Sequence, residues 1–267
     1  RIYDSPGMIG PGDLIVVSGG ARGVTAAVAI EMAKRWQPHL LLLGRSALSE
    51  SEPEWAQGIP NDDLSHAFAN QGLKRGEKPS LKALKAAVEG ILRAREVQNT
   101  LQVIQQAGAS VEYVATDVRD RTKVAKTIQE TVKRHGPVRG LVHGAGVLAD
   151  KLVSDKTLEQ FDHVFMTKVD GLNSLLAATG NELKLLALFT SVAGRYGNRG
   201  QCDYAMANEA LTRIGFQFAQ QGVRVKAFDW GPWDGGMVDS SLRKQFEASG
   251  IELIGLEHGA QFFCNEF

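Results

Sequence analysis

Residues 14–25 read Leu-Ile-Val-Val-Ser-Gly-Gly-Ala-Arg-Gly-Val-Thr, a short apolar run that passes directly into a glycine-rich turn. Such runs are typical of strands buried on both faces of a parallel sheet, and residues 26–35 have the composition of a helix. A strand, glycine-rich turn and helix form the phosphate-binding unit of dinucleotide folds, because glycine lets the backbone approach a pyrophosphate and the helix N-terminus favours negative charge. For the turn alone, a tight connection without ligand is the alternative. The predicted cofactor-binding residues here are Ser18, Gly19, Gly20, Arg22, Gly23 and Val24.

The second apolar run is followed by an arginine. Residues 40–43 are four leucines, and Gly44, Arg45 and Ser46 come next. NAD-preferring sites usually carry Asp or Glu at this point to bind the ribose hydroxyl, whereas an arginine favours the 2′-phosphate of NADP. The sequence therefore predicts NADPH, bound by Arg45 and Ser46 with Arg22 as a second cation. A solvated loop cation is the alternative interpretation of Arg45.

Four further strand-like segments alternate with helical ones. They cover residues 111–116, 140–143, 185–189 and 223–228. This alternation predicts an α/β fold, a Rossmann-like doubly wound parallel sheet with helices on both faces and ligands at the carboxyl ends of the strands. The residues at those ends that we expect to contact the cofactor are Asp117, Val118, Gly144, Ala145, Gly146, Gly231 and Pro232.

A hydroxyl, a phenol and an amide follow the fifth strand. Ser191 lies at its end, and Tyr204 and Asn208 stand one helical turn apart on the next element. Together they predict a site that moves a proton to or from an oxygen held by Ser191. His143 is predicted to be structural, since no other titratable residue lies near it in sequence.

Residues 158–178 have the periodicity of a long helix. Lys168 is predicted to lie beside its buried stripe, and a lone lysine on a helix is usually solvated. The residues expected to face inward are Phe161, Phe165, Val169, Leu172 and Leu176.

Three other segments are expected to surround this core. Residues 1–12 are predicted to be a linker, and residues 47–79, rich in proline and glycine, a long and partly disordered insertion loop. A helix should follow it to residue 107, packing on the surface or against a neighbouring domain. Residues 238–249 are predicted to form a polar, helical lid.

Length, charge and cysteine content exclude several classes of protein. The 267 residues suit one large α/β domain, predicted over residues 13–267, and 30 basic side chains balance 30 acidic ones, so neither nucleic acid nor a membrane is an expected partner. Two cysteines without metal-ligand spacing predict no disulfide framework and no metal site. No apolar run is long enough to span a bilayer, and we expect a cytoplasmic protein. The chain begins without Met, which favours a fragment of a larger multidomain protein.

In combination, these motifs resemble the short-chain dehydrogenase/reductase superfamily. They are the turn at residues 18–23, the His-Gly-Ala-Gly at residues 143–146, and Ser191 placed thirteen residues before Tyr204. The resemblance covers nearly the whole chain except the insertion at residues 47–79.

A departure from the superfamily pattern narrows the resemblance. Ordinary members have Tyr-x-x-x-Lys, whereas Asn208 follows Tyr204 here, and Lys168 occupies the helix position where ordinary members keep an asparagine. This exchange resembles the ketoreductase domains of polyketide synthases and polyunsaturated fatty acid synthases. Further matching residues are Gln201, Trp230, Gly231, Pro232 and Trp233, together with Thr25 and residues 256–263, which are closer to the polyunsaturated fatty acid type.

The resemblance implies reduction of a β-ketoacyl thioester, carried by an acyl carrier protein, with NADPH as hydride donor. It implies that Tyr204 protonates the ketone oxygen, that Ser191 hydrogen-bonds it, and that Asn208 supports proton resupply. Lys168 is expected to hold the nicotinamide ribose and to lower the pKa of Tyr204 from its usual value of about 10. Neighbouring synthase domains are further expected partners.

The product configuration is predicted from two local matches. Residues 148–150, Leu-Ala-Asp, resemble the Leu-Asp-Asp motif of ketoreductases that form the D-hydroxyl, and Tyr196 stands where the opposite class usually has Trp. Both favour a D, or 3R, product. The competing hypotheses are a non-catalytic ketoreductase-like domain of a synthase and a free-standing dehydrogenase of a small alcohol.

Overall fold

The computed structural model describes residues 8–49, 51–74, 76, 79–238 and 240–267. These residues form a six-stranded parallel sheet flanked by helices, which confirms the predicted fold. The strands are β1 (Leu14–Ser18), β2 (His39–Gly44), β3 (Ser110–Ala115), β4 (Val138–His143), β5 (Leu185–Ser191) and β6 (Arg224–Trp230). The helices are α1 (Gly23–Trp36), α2 (Leu64–Lys74), α3 (Leu81–Gln106), α4 (Arg121–His135), α5 (Leu158–Thr179), α6 (Val192–Tyr196), α7 (Cys202–Gln220), α8 (Ser240–Ala248) and α9 (Leu256–Asn265).

The strand order places a crevice beside β1. The order is β3-β2-β1-β4-β5-β6, so the chain leaves β1 in one direction for β2 and β3 and returns to its other side for β4. In open sheets of this kind ligands bind at the carboxyl ends of the strands, where the order reverses. The helical connections on either side of β1 therefore leave an opening between the ends of β1 and β4.

The continuous apolar runs arise because the sheet is covered on both faces. In β1, Ile15 and Val17 belong to one buried cluster, whereas Leu14 and Val16 belong to another on the opposite face. Helices α1 and α9 contribute to the first cluster, and α4 and α5 contribute to the second. A strand in this position has no solvated face, and polar alternation is therefore absent from its sequence.

Helix α5 buries a different face from the one predicted. Thr157 and Gln160 form a capping box at its start, and its buried residues include Val164, Lys168 and Leu172. Of the residues predicted to face inward, only Leu172 is fully buried; Phe161, Phe165, Val169 and Leu176 are partly exposed. The prediction that Lys168 lies beside the buried stripe is therefore wrong, because Lys168 is part of it.

The insertion is more ordered than predicted. Its described residues include a short 3-10 turn at Asn61–Asp63 and helix α2, whereas residues 50, 75, 77 and 78 lie outside the described part of the chain. A small buried cluster of Ala56, Leu64 and Ile91 joins the insertion to α3. The Arg95 guanidinium on α3 also donates hydrogen bonds to the insertion. Its acceptors are the Glu52 carboxylate at 2.7 and 2.9 Å, the carbonyls of Ala56 and Ile59, and the Asn61 side chain.

The predicted linker lies only partly within the described residues, which begin at residue 8. Met8 and Ile9 pack against the first buried cluster, and the Gly12 N–H donates to the Gln37 carbonyl at 3.0 Å. Residues 8–12 are therefore attached to the domain. The predicted lid contains α8. Among the described residues, we find no helix with both the length and the apolar composition that crossing a membrane requires.

Candidate active site

A cavity of about 1010 Å³ opens at the carboxyl ends of the strands. It extends from the glycine-rich turn after β1, past the ends of β4 and β5, to the segment after β6 and to α8. Most of the predicted site residues line it. They are Gly19, Arg22, Gly23, Val24, Arg45, Ser46, Asp117, Val118, Gly144, Ala145, Gly146, Lys168, Ser191, Tyr204, Gly231 and Pro232.

Three predicted site residues do not line the cavity: Ser18, Gly20 and Asn208. Ser18 is fully buried, and Gly20 is in contact with the core, where an added Cβ would lie 2.5 Å from a methyl group of Val17. Glycine is required at Gly20 for packing. At Gly19, by contrast, φ is +74° and a Cβ would lie 3.1 Å from the Gly144 carbonyl oxygen, so glycine serves both conformation and close approach.

Ser18 and His143 connect β1, β4 and α5 through buried hydrogen bonds. His143 Nε2 donates to the Lys168 carbonyl oxygen at 2.9 Å, which leaves Nδ1 to accept from Ser18 Oγ at 2.7 Å. Ser18 Oγ accepts in turn from the Ala145 N–H at 3.3 Å. Burial, with the charge of Lys168, lowers the pKa of His143 to about 3. These contacts give His143 and Ser18 a structural role in placing Lys168.

Lys168 reaches the cavity from inside the protein. Its Nζ donates a hydrogen bond to the Phe189 carbonyl oxygen at 2.9 Å and lies 5.4 Å from the centroid of the Tyr204 ring. The side chain passes Gly146, where a Cβ would lie 3.2 Å from Lys168 Cε. Only 3% of Lys168 is exposed, and burial lowers its pKa to about 8. The helix position therefore supplies a cation at the cavity wall that loses its proton near pH 8.

Ser191 and Tyr204 both line the cavity. Ser191 ends β5 and its Oγ accepts from the Ala193 N–H at 3.2 Å, which caps the short helix α6. Burial raises the pKa of Tyr204, hydrogen bonding with Asn208 and Ser191 lowers it, and the charge of Asp150 raises it, for a net upward shift.

The pKa of Tyr204 is thus raised, not lowered as expected, and burial is the largest cause; the expected contribution of Lys168 to lowering it remains a prediction. The phenol is largely removed from water, which disfavours the phenolate, while Lys168 Nζ is directed to the Phe189 carbonyl. A raised pKa keeps the phenol protonated at neutral pH. Tyr204 therefore carries the proton that an acid catalyst would need.

Asn208 contacts the backbone of Tyr204 within α7. Its Nδ2 donates to the Tyr204 carbonyl oxygen at 2.8 Å, one turn back along α7. The side chain is 1% exposed, and its Oδ1 has no hydrogen-bond partner among the described residues. Its predicted part in proton resupply remains a prediction.

The far end of the cavity carries several charges. Arg45 lines it, while the Asp117 carboxylate is bound by Arg119 at 2.7 Å, which lowers the pKa of Asp117. Arg22 is bound by Glu96, a residue of α3 that also lines the cavity. Sequence reasoning missed Glu96, because nothing in the turn indicates which distant helix covers it.

A second group of charged residues lies near the amino ends of β2 and β3. Ligand atoms of His39, Glu112 and His135 lie within 4.8 Å of one another, although no metal site was predicted. The two imidazole rings stack with centroids 3.5 Å apart, and Arg134 binds both carboxylate oxygens of Glu112 at 2.7 Å. The carboxylate is thus already neutralised, and the group is best described as an ion-pair network of the fold.

Comparison with known proteins identifies related chains. The family model described as "KR domain" matches residues 14–235. One component of the polyunsaturated fatty acid synthase from Thraustochytrium sp. is 44% identical over 257 residues, which cover 93% of this chain and 9% of that component. A polyketide synthase from Streptomyces halstedii is 40% identical over 129 residues, 48% of this chain and 2% of that synthase. The chain thus spans a small part of these relatives.

Solved structures show a similar fold. A ketoreductase domain from the bacillaene assembly line has a TM-score of 0.69 and 26% identity, covering 98% of this chain and 55% of that one. The ketoreductase from the first module of phoslactomycin biosynthesis in Streptomyces sp. HK803 has a TM-score of 0.71 and 25% identity, covering 96% of this chain and 50% of that one. The present chain therefore spans about half of each.

Proposed function

Because the chain belongs to the ketoreductase (KR) domain family, we propose that it reduces the β-ketone of an acyl thioester to the β-hydroxyl with NADPH. One observation carries the proposal: Lys168, Ser191 and Tyr204, which come from three different elements, line the same cavity at the carboxyl ends of the strands. This set combines a hydrogen-bond donor, a proton donor and a cation. This combination argues against a domain without catalytic function.

The described residues fit a nicotinamide dinucleotide phosphate. Gly19 allows close approach of the backbone to the cofactor, and α1 begins at Gly23, directly after the turn. Arg45 provides a cation where the 2′-phosphate is expected. When bound, NADPH supplies the hydride. Lys168 would hold the nicotinamide ribose, and Gly231 and Pro232 would cover the cofactor from the segment after β6.

The protein residues orient the ketone and transfer a proton to it. Ser191 donates a hydrogen bond to the ketone oxygen, and Tyr204 transfers its proton to that oxygen as negative charge develops there. The raised pKa of Tyr204 keeps this proton available, and the Lys168 ammonium, 5.4 Å from the ring, stabilises the phenolate that remains. Positioned acid catalysis contributes about 10²- to 10⁴-fold in rate.

We propose that an acyl carrier protein presents the substrate and that the domain works beside other synthase domains. The support is the length of the relatives, of which this chain matches 9% and 2% in the two cases given. Leu148 and Asp150 of the Leu-Ala-Asp segment line the cavity, as does Tyr196. Their resemblance to the D-forming pattern supports a 3R product.

The test is NADPH oxidation with a β-ketoacyl N-acetylcysteamine thioester, with NADH in parallel, in the native polypeptide that carries this chain. We expect turnover with NADPH and, in Arg45→Ala, a loss of NADPH affinity of about 10- to 150-fold without a matching loss for NADH, because a hydrogen bond to a charged group contributes about 1.5–3 kcal/mol. Tyr204→Phe should lose about 10²- to 10⁴-fold in turnover while still binding NADPH.

Several outcomes would count against the proposal. NADPH binding without ketone-dependent oxidation would favour a non-catalytic domain, and equal rates with NADH would contradict the assignment of Arg45. A preference for a free small ketone over the carrier-bound substrate would favour a free-standing dehydrogenase. A mainly 3S product would contradict the predicted configuration.

A further inference from the structure

Two buried charges beside the cavity have no part in the reaction described above. Lys156 Nζ lies 2.6 Å from Asp203 Oδ2, and the two side chains are 4% and 1% exposed. Removing a charge from water costs several kcal/mol per ion. A pair buried to this extent persists only where both partners are well bound by the surrounding structure.

Each member of the pair also binds the backbone of a segment that forms the site. Lys156 Nζ donates to the Ala149 carbonyl oxygen at 2.7 Å, within the Leu-Ala-Asp segment. Asp203 Oδ1 accepts from the Tyr204 N–H at 2.9 Å, at the proposed proton donor. The ion pair therefore connects the wall of the cavity directly to the backbone of Tyr204.

Two further hydrogen bonds join the same two segments. Gln201 Nε2 donates to Asp150 Oδ2 at 2.8 Å, and the Lys151 N–H donates to the Gly200 carbonyl oxygen at 3.0 Å. These two bonds lie in more exposed surroundings, whereas the ion pair is shielded from water. Of these contacts between the Leu-Ala-Asp segment and the start of α7, solvent therefore weakens the ion pair least.

We propose that Lys156 and Asp203 are positioning residues that fix which face of the ketone is reduced. This inference rests on the proposed function. A ketone has two faces, and the product configuration depends on how the acyl chain lies when its oxygen meets Ser191 and Tyr204. Leu148 and Asp150 line the cavity, and in the proposed geometry they form the wall against which that chain lies. The ion pair sets the separation of this wall from Tyr204, and so it sets the orientation of the bound ketone.

If the ion pair had only a structural role, the product ratio would recover whenever the stability of the protein recovers. A buried ion pair often adds little net stability compared with an uncharged pair of similar size, whereas leaving one charge unpaired is strongly destabilising. Replacing both residues should therefore restore most of the stability lost in either single variant. Stereochemical control should not return, because the directed bonds to Ala149 and Tyr204 are altered.

The experiment measures the 3R to 3S product ratio, kcat, KM and Tm for Lys156→Met, Asp203→Asn and the double variant, with a β-ketoacyl N-acetylcysteamine thioester. We expect the product ratio to fall about tenfold in all three and KM to rise, since a displacement of ~1 Å can cost up to about 10²-fold in the favoured geometry. The Tm of the double variant should exceed that of the less stable single variant. The matched control is Arg213→Met with Glu209→Gln, an exposed pair on the same helix, which should leave the ratio unchanged.

An unchanged product ratio in a folded double variant overturns the proposal. If the methionine variants do not fold, Lys156→Gln keeps a donor for Ala149 while removing the charge, and an unchanged ratio there overturns it equally. Lys156→Arg, which retains the charge, should recover part of the ratio. Absence of ketone reduction in the wild-type protein would instead contradict the proposed function.

Discussion

The carboxylate of Glu96 accepts a hydrogen bond from the guanidinium of Arg22 at 2.6 Å, across 74 positions of sequence. Its other oxygen accepts from the Gly23 N–H at 2.8 Å. Gly23 begins α1, and both donors belong to the turn predicted to bind the phosphates of the cofactor. An internal carboxylate thus occupies donors that, in the proposed function, would bind a phosphate of the cofactor.

We therefore expect Glu96→Gln to bind NADPH more tightly. The Glu96 and Arg22 side chains are 41% and 43% exposed, so the competing ion pair is worth about 0.2–1 kcal/mol, or up to about fivefold in affinity. Fluorescence titration with NADPH at two salt concentrations measures the effect, which should shrink at high salt. Glu182→Gln, which loses a surface pair with Arg139, is the control. Weaker binding in Glu96→Gln would show that Glu96 helps to hold the cofactor.

The contact between Glu96 and Arg22 also marks the limit of what sequence could predict. The sheet and the glycine-rich turn were predictable because strand, turn and helix each leave a local pattern within about ten residues. The partner of Arg22 lies on a helix that follows a long insertion. No periodicity in α3 distinguishes Glu96 from the other polar residues of that helix.

Lys168 illustrates a second limit. The aromatic residues of α5 suggested one buried face, but the helix buries another, where the Phe189 carbonyl accepts from Lys168 and Gly146 leaves room for its side chain. Family resemblance, rather than periodicity, indicated a role for Lys168. The buried pair of Lys156 and Asp203 left no sequence signal, since its partners are 47 positions apart.

The pKa of Lys168 predicts a pH dependence of cofactor use. With a pKa lowered to about 8 by burial, the ammonium is present below that pH and is lost above it. Because kcat/KM for NADPH reports on the free enzyme, it should be level below about pH 8 and fall above it, approaching about tenfold per pH unit.

The matching variant is Lys168→Met, whose lower kcat/KM should show no fall near pH 8. Tyr204 does not account for a fall there, because burial raises its pKa. A wild-type profile that stays level well above pH 8 would show that the charge of Lys168 is not needed for binding NADPH.

The buried His143 predicts a loss of stability in acid. Its pKa lies at about 3 in the folded protein instead of the usual 6.5, so between these values the unfolded chain binds a proton that the folded chain does not. The free energy of unfolding should therefore fall as pH falls from about 6.5 toward 3, with a contribution of at most about 1.4 kcal/mol per pH unit from this residue.

Urea unfolding between pH 4 and pH 8 measures this contribution. His143→Asn should be less stable at neutral pH, by about 1–3 kcal/mol for the lost buried hydrogen bonds, but its stability should depend less steeply on pH. His258→Asn, at an exposed position, should keep the wild-type slope. Equal slopes in wild type and His143→Asn would show that His143 titrates normally.

Arg95 is expected to hold the insertion in its folded form. Its guanidinium binds the Glu52 carboxylate through two hydrogen bonds and three further acceptors within residues 56–61, so Arg95→Met leaves these groups without their common donor. The nearby core positions of α3, Val97 and Ile104, are fully buried, and we expect them to be unaffected. The insertion should therefore open locally, at a cost of about 1.5–3 kcal/mol for hydrogen bonds to a charged group, while the sheet stays folded.

Limited proteolysis followed by mass spectrometry measures this opening. In Arg95→Met, cleavage within residues 51–74 should become faster, whereas hydrogen exchange of β1 and β4 should keep its wild-type protection. Arg93→Met removes an exposed ion pair with Glu89 on the same helix and should leave the cleavage rate unchanged. Loss of protection throughout the sheet in Arg95→Met would mean that the insertion is part of the cooperative core. In that case its folding and that of the candidate active site could not be separated, because both depend on the position of α3.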